Sequence, residues 1–470
     1  MTDSQPRIEQ LPYFEDSAAL FMPWADRRWS VLLDSGYPHT HQGRYDILAA
    51  DPWCTLVTRG HLTEIRARGQ ITLSPEDPFR LLQEYLGERR SAPAELPFCG
   101  GTIGYFGYDL ARRLEKLPEL AADDAGVPDM VMGIYDWAVV VDHLQRRSFL
   151  VGAGRDPATA IRWPYLIRSF SQIQTLGWQR TDFRVCGEIE AGMSKAQYSQ
   201  AFARIQQYIH DGDCYQVNLT QRFSAFCEGN PWTAYQLLRQ LNPAPFSAYL
   251  NYPQLQVLSS SPERFIKVDN GQVETKPIKG TRPRGDDALA DRLQRQSLSE
   301  STKDRAENLM IVDLLRNDIG KSCVPGSVHV PELFAIESYA TVHHLVSTIR
   351  GRLAPDQNVI GLLRGCFPGG SITGAPKIRS MQIIEELEPC RRGVYCGSIA
   401  YIGHDGNMDS NIAIRTLTHA DNRIRFWAGG GIVADSDPEL EFQECYHKAA
   451  ALLTLLERFR VRKTGEHVGR

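Results

Sequence analysis

Apolar residues recur at helical spacing in three stretches of the chain. After Ser194, the residues Tyr198, Phe202, Ile205 and Ile209 form one stripe, with Ser194 placed to cap the helix and Gly212 to end it. The run 303–318 carries Leu309, Met310, Val312 and Leu314 and predicts a second, largely buried helix. The run 436–459 predicts a third. Asp437 is a good N-cap, Pro438 a good first helical residue, and Phe442, Tyr446, Ala449, Leu453 and Leu456 make its core stripe. Elsewhere the period falls to two. Trp29 to Leu33 and Tyr45 to Ala50 read as strands on either side of a turn at Ser35, Gly36, Tyr37 and Pro38, and Val217, Leu219 and the alternation to Phe223 read as another strand. Residues 97–108 mix glycine with aromatics, which predicts strands whose backbones approach closely. Gly100, Gly101 and Gly104 fit no nucleotide-binding fingerprint.

Strands and helices interleave irregularly to the end of the chain, so the expected class is α+β, with sheets inside and helices packed outside. The polar stretch 152–190 is the expected boundary between a first region, 1–185, and a second, 186–460; the basic, glycine-containing tail 461–470 is expected to fray.

Composition narrows the function. The 470 residues are 42% hydrophobic and 23% charged, with a formal net charge of -4, which excludes a bulk basic surface for nucleic acid. No run of about eighteen apolar residues is present, so no membrane-crossing helix is expected. The polar start lacks a basic region followed by an apolar one, so no secretory signal is expected either. The ten cysteines form no C-x-x-C pair and show no zinc spacing. Free thiols in a reducing, cytoplasmic compartment are the expectation.

Several positions are chemically suggestive. Asp304 and Glu307 share a face of the second helix; Glu441 and Glu444 lie together on the third, with Lys448 one turn beyond Glu444. These acids read either as solvated faces with an ordinary Glu444–Lys448 pair or as two helices offering carboxylates to a hard dication such as Mg²⁺. The runs 368–377 and 428–432 are rich in glycine and can present backbone N–H groups, although a tight turn explains either one taken singly. Glu263, at a strand end beside Pro262 and Arg264, reads as an acid/base or a paired surface charge. Lys279, between Ile278 and Gly280, reads as a solvated charge or as a desolvated nucleophile. His343 and His344 fit core hydrogen bonding as well as chemistry.

Taken together, SPERF (261–265), PIKGTRPRG (277–285), KDRAENLMIVDLLRNDIG (303–320), HHLVSTIRG (343–351), FPGGSITGAPK (367–377), RGVYCGSIAYIG (392–403), DSNIAIRT (409–416) and GGGIVADSDPELEFQECYHKA (429–449) resemble the chorismate-utilising family. That family includes anthranilate synthase component I, aminodeoxychorismate synthase component I, and isochorismate and salicylate synthases. LLDSGY (32–37), the run 97–110 and NPAPF (242–246) extend the likeness to the N-terminal part. The resemblance implies a large sandwich of mainly antiparallel sheets with outer helices. It implies that Glu307 and Glu444 hold Mg²⁺, with Glu441 acting through water or substrate and Asp304 nearby. Arg415 and Tyr395 match residues gripping the enolpyruvyl carboxylate, and Gly429 and Gly431 would add backbone donors there. Gly280, Thr281 and Ser371 belong to the pocket wall, with Lys448 among the substrate-binding residues; His344 lies near the ring carboxylate, and Glu263 matches the general acid for the C4 hydroxyl.

Two positions separate the branches. Water-adding members carry a lysine base where this chain has Gln216, so ammonia is the implied nucleophile. Anthranilate synthases usually read PIAGT, whereas aminodeoxychorismate synthases read PIKGT, as here at Lys279. The implied reaction is transaminase-class amination of chorismate at C4, with Lys279 as nucleophile and a separate glutamine amidotransferase subunit supplying ammonia for 4-aminobenzoate and folate synthesis. The alternatives are anthranilate synthesis and a catalytically silent chorismate or tryptophan sensor. Leu33, Asp34, Ser35, Pro243 and Phe246 fall in segments that bind tryptophan in relatives, so a tryptophan site is a further expectation.

Overall fold

The computed structural model describes residues 6–40, 43–93, 95–172, 182–339 and 342–461. Among them two sheets of twelve strands each lie face to face, and every strand pairing within them is antiparallel. The first sheet runs from Arg7–Leu11 at one edge, through Tyr45–Ala49, Ser30–Asp34, Phe246–Asn251 and Gln256–Ser261, to Thr416–Ala420, Arg423–Ile432 and Gln216–Gly229. The second runs from Ile278–Pro283 and Val342–Arg352, through Arg264–Asp269 and Ser398–Gly403, to Gly101–Phe106, Met130–Tyr135 and the hairpin Leu62–Ala67 with Gln70–Ser74. In each sheet one block of strands from the first region meets one block from the second, at Ser30–Asp34 against Phe246–Asn251 and at Gly101–Phe106 against Ser398–Gly403, so both sheets run through the two regions.

The strand alternation sorts side chains into layers. Val31, Ile47, Val140, Ala248 and Val257 of the first sheet meet Val57, Ile103, Tyr105, Val131 and Ile399 of the second in the interior. The opposite face of the first sheet, with Leu32, Val139, Val141 and Leu258, is covered by the helices Ser17–Phe21, Pro157–Ser171, Pro231–Leu241 and Pro438–Arg458. The opposite face of the second is covered by Pro78–Leu86, Thr302–Gly320 and Val359–Cys366. The fold is thus the expected sandwich of antiparallel sheets inside helices. The glycines of the 97–108 run serve close approach, as expected: a Cβ on Gly104 would lie 2.0 Å from the Val131 carbonyl oxygen.

The three expected helices are Lys195–His210, Thr302–Gly320 and Pro438–Arg458. Ser194 closes a capping box with Gln197, and Asp437 accepts from the Glu439 and Leu440 amides. Two details differ. On Thr302–Gly320 the buried line is Asn308, Ile311, Val312, Leu315 and Ile319, while Leu309 is exposed. On Pro438–Arg458 it is Glu441, Cys445, Ala449, Leu452 and Leu456, while Tyr446 is exposed and packs edge-on to Phe223 and Phe442. An apolar stripe chosen by residue type passes over a buried glutamate, and here that glutamate faces a functional cleft. The polar stretch 152–190 also holds a helix, Pro157–Ser171, capped by Asp156 with Pro157 at its first position. Residues 173–181, and all of the expected tail except Val461, lie outside the described residues. The ten cysteines are free, and only Cys186 and Cys390 are less than buried.

Candidate active site

A cleft of about 970 Å³ opens where the Ile278–Pro283 edge strand, the ends of Arg423–Ile432 and Gln216–Gly229, and the helices Thr302–Gly320 and Pro438–Arg458 come together. Glu263, Lys279, Gly280, Thr281, His344, Ser371, Tyr395, Arg415, Gly429, Gly431 and Lys448 all line it, as do Asp304, Glu307, Glu441 and Glu444. Sequence segments up to about 185 residues apart are therefore brought to one surface.

Lys279 stands on the edge strand, and its Nζ donates to the Ser371 carbonyl oxygen at 3.2 Å. Burial pushes its pKa below the ordinary lysine value, the Lys448 charge adds to this, and Glu307 and Glu263 work against it. The neighbouring Gly280 has φ +82°, and a Cβ there would lie 2.9 Å from the Asp304 side chain, so glycine is required where the strand passes the helix. Ser371 also reaches Glu263: its Oγ donates to Glu263 Oε1 at 2.8 Å. Burial raises the Glu263 pKa, opposed by that hydrogen bond and by the Lys279 charge. One short loop thus holds an amine of depressed basicity and a carboxyl of raised pKa on either side of residue 371, a matched base and acid.

Arg415 lies at the other end. Its backbone is in the left-handed region at φ +52°, a strained conformation of the kind that collects at functional sites. Burial lowers its pKa, and among the described residues it has no carboxylate partner. A buried guanidinium without a counter-ion is a site for an anionic ligand. Beside it, Tyr395 stacks on Trp427 with centroids 5.9 Å apart. His344 Nδ1 hydrogen-bonds Thr281 Oγ1 at 2.8 Å, and burial together with the Arg415 charge brings the His344 pKa down to about 4. The imidazole is neutral at physiological pH.

The carboxylates gather at the mouth between the two helices. A Cβ on Gly430 would lie 3.1 Å from Glu441 Oε2 and 3.5 Å from Glu444 Oε1, so both acids close over a glycine. Lys448 pairs with Glu444 at 2.6 Å and donates to the Gly429 carbonyl oxygen at 2.9 Å. Burial works against the Glu444 charge, yet Lys448 holds its carboxyl below the usual range. For Glu307 and Glu441 burial prevails and the pKa is raised. Asp304 pairs with Arg282 at 2.9 Å. Among the described residues no three acidic, histidine or cysteine side chains stand close enough to enclose a metal unaided. The donor set of hard carboxylate oxygens from two facing helices nevertheless suits Mg²⁺, which needs one or two carboxylates and completes its shell with water and substrate.

Gln216 does not line the cleft. It is fully buried one layer below, where a Cβ on Gly431 would meet its Nε2 at 2.7 Å, and neither amide atom has a hydrogen-bond partner. The segments considered for tryptophan separate likewise. Leu33, Asp34, Ser35 and Phe246 border a second cavity of about 400 Å³ between the sheets, whereas Pro245, not Pro243, completes its wall. Sequence reasoning passed over Asn218, Lys303, Trp427 and His447, which line the first cleft. Only Lys303 carried a signal, its four-residue spacing from Glu307.

Relatives match this chain over most of its length. Aminodeoxychorismate synthase component 1 of Klebsiella aerogenes is 48% identical over 456 residues, covering 96% of this chain and 99% of its own. Anthranilate synthase component 1 of Thermus thermophilus is 41% identical over 389 residues, covering 81% and 83%. The crystal structure of anthranilate synthase component I from Streptococcus pneumoniae superposes with a TM-score of 0.78 at 32% identity, covering 87% of this chain and 91% of that one. With residues 37–454 matching its model, the chain belongs to the chorismate binding enzyme family.

Proposed function

We propose that this chain is the chorismate-aminating subunit of an aminodeoxychorismate synthase, converting chorismate and ammonia to 4-amino-4-deoxychorismate. The observation that carries the reading is Lys279, a lysine of lowered pKa joined through Ser371 to the buried acid Glu263. The relatives that share this name align over nearly the whole chain.

Arg415 and Tyr395 receive the enolpyruvyl carboxylate, and neutral His344 with Thr281 lies along the ring. Glu307 and Glu444, with Glu441 beside them, would hold Mg²⁺, whose charge would neutralise the ring carboxylate and withdraw electrons from the ring. Lys279 Nζ, as the free amine, attacks C2 while Glu263 protonates the departing C4 hydroxyl, which leaves as water. Ammonia then attacks C4 and the C2–Nζ bond breaks, returning Lys279. Gln216, a neutral amide, cannot deprotonate water, which leaves ammonia as nucleophile. A glutamine amidotransferase subunit would deliver that ammonia, in the cytoplasm, for 4-aminobenzoate formation.

We further propose that the second cavity takes tryptophan, its indole against Leu33 and Phe246. The deciding experiment for the main reading supplies chorismate, Mg²⁺ and ammonium to the purified chain and separates the products. Aminodeoxychorismate is expected; strong anthranilate fluorescence without it would establish the anthranilate branch instead.

A further inference from the structure

Helices Thr302–Gly320 and Pro438–Arg458 face each other across the mouth of the cleft, and one residue spans them. Lys303 Nζ lies 4.0 Å from Glu307 Oε1 on its own helix and 3.7 Å from Glu441 Oε1 on the other. Among the described residues it makes the ion pair that joins these two helices. Glu307 and Glu441 are nearly covered, at 17% and 6% side-chain exposure, while Lys303 keeps 43% and can swing outward. Two carboxylates held this close in a partly desolvated mouth repel each other unless a cation lies between them. The ammonium meets that need with a single charge and no fixed ligand geometry.

We infer that Lys303 is a built-in competitor for the divalent cation: its ammonium bridges Glu307 and Glu441 and must give up Glu307 when a dication is held between Glu307 and Glu444. The inference rests on the Mg²⁺ reading given above. A dication offers twice the charge and shorter contacts to the same oxygens. The exchange releases one tethered ammonium, so Lys303 weakens metal binding while keeping the acids apart from each other's charge beforehand. Its consequence is a site that binds the dication only moderately, and best when an anionic substrate adds further ligands.

The test measures Mn²⁺ binding to the full chain by electron paramagnetic resonance, without turnover. Lys303→Met is expected to tighten Mn²⁺ binding by about fivefold to tenfold, and Lys303→Arg to leave it within about twofold of the parent. Arg305→Gln is the control: it removes the same charge two residues away, where the guanidinium lies over the Phe334 ring instead of the acids. Its expected effect is under about twofold. A second readout labels lysine amines and follows Lys303 by mass spectrometry; saturating Mg²⁺ should raise its labelling rate severalfold. Equal Mn²⁺ affinity in Lys303→Met and Arg305→Gln, or labelling of Lys303 indifferent to Mg²⁺, overturns the competitor role while leaving the metal reading standing. No Mn²⁺ binding by the parent chain overturns both.

Discussion

Both cavities are lined by charges of both signs and use them in opposite ways. Around the cavity between the sheets the buried charges are paired. Asp34 accepts from Arg239 at 2.7 Å, from Tyr235 at 3.1 Å and from the Gly36 amide at 2.8 Å. Arg264 forks onto Asp409 with both bonds at 3.0 Å and pairs with Glu274. In the cleft three deep charges are left unfinished: Lys279 has a carbonyl oxygen, Glu263 a hydroxyl, and Arg415 no carboxylate among the described residues. Completed pairs make a wall that holds its shape and favours a ligand with large apolar surface and no net charge. Incomplete ones store the capacity to bind anions and to move protons, at a cost in stability. Chemistry belongs to the second arrangement.

The comparison breaks most sharply at Lys279. Lys279→Ala should reduce aminodeoxychorismate formation at least about a thousandfold, measured by product chromatography, because a covalent step is lost and not merely a contact. Full retention of product would sink the covalent role. Glu263→Gln keeps the shape of the loop and should cost about a hundredfold to a thousandfold in kcat with little change in KM. Burial raises the Glu263 pKa, so its acid form survives to higher pH than that of an exposed glutamate and declines as pH rises through the raised value. The glutamine variant should therefore lose one ionisation from the pH dependence of kcat; an unchanged profile would assign that proton elsewhere.

The same contrast explains what could be read along the chain. Helices announced themselves through caps and stripes: Ser194, Asp437 and Pro438 stand where expected. So did the cleft, because Lys279, Glu263 and Arg415 are set in distinctive runs of sequence. Met130–Tyr135 and Trp137–Asp142 were less legible. They are buried on both faces, so the polar alternation that marks a half-exposed antiparallel strand is missing. Glu441 lies in the buried line of its helix although the apolar pattern leaves it out, since periodicity weighs hydrophobicity and knows nothing of a cleft on the buried side. Lys303 was hidden for a different reason. A lysine four residues before a glutamate is the commonest surface pair on any helix, and only the facing Glu441 gives it meaning.

At the paired cavity the expected losses are of stability before function. Arg239→Met should destabilise the fold by about 3–5 kcal/mol, read from chemical denaturation, because it strands the Asp34 carboxylate, 2% exposed, with only a phenol and an amide. Catalysis by the remaining folded protein should be nearly unaffected, since Arg239 is not part of the cleft lining. A large drop in kcat without loss of stability would mean that the two cavities are coupled.

The smallest expected effect is the most discriminating for the second cavity. Ser35 borders it, is 6% exposed, and its Oγ has no hydrogen-bond partner. It is a buried, unpartnered hydroxyl in a wall whose buried charges are paired, and therefore free to address the polar end of an amino acid. Ser35→Ala should weaken tryptophan binding by about 1 kcal/mol, roughly fivefold, in calorimetry. The same variant should leave stability unchanged or slightly raised, since no hydrogen bond within the protein is lost. Those opposite signs separate a ligand contact from a structural one: a variant that binds tryptophan as before but unfolds more readily would make Ser35 part of the scaffold. If the parent chain gives no heat with tryptophan and releases no indole on denaturation, the cavity is not a tryptophan site, and its completed pairs serve only to hold the sheets that carry the cleft.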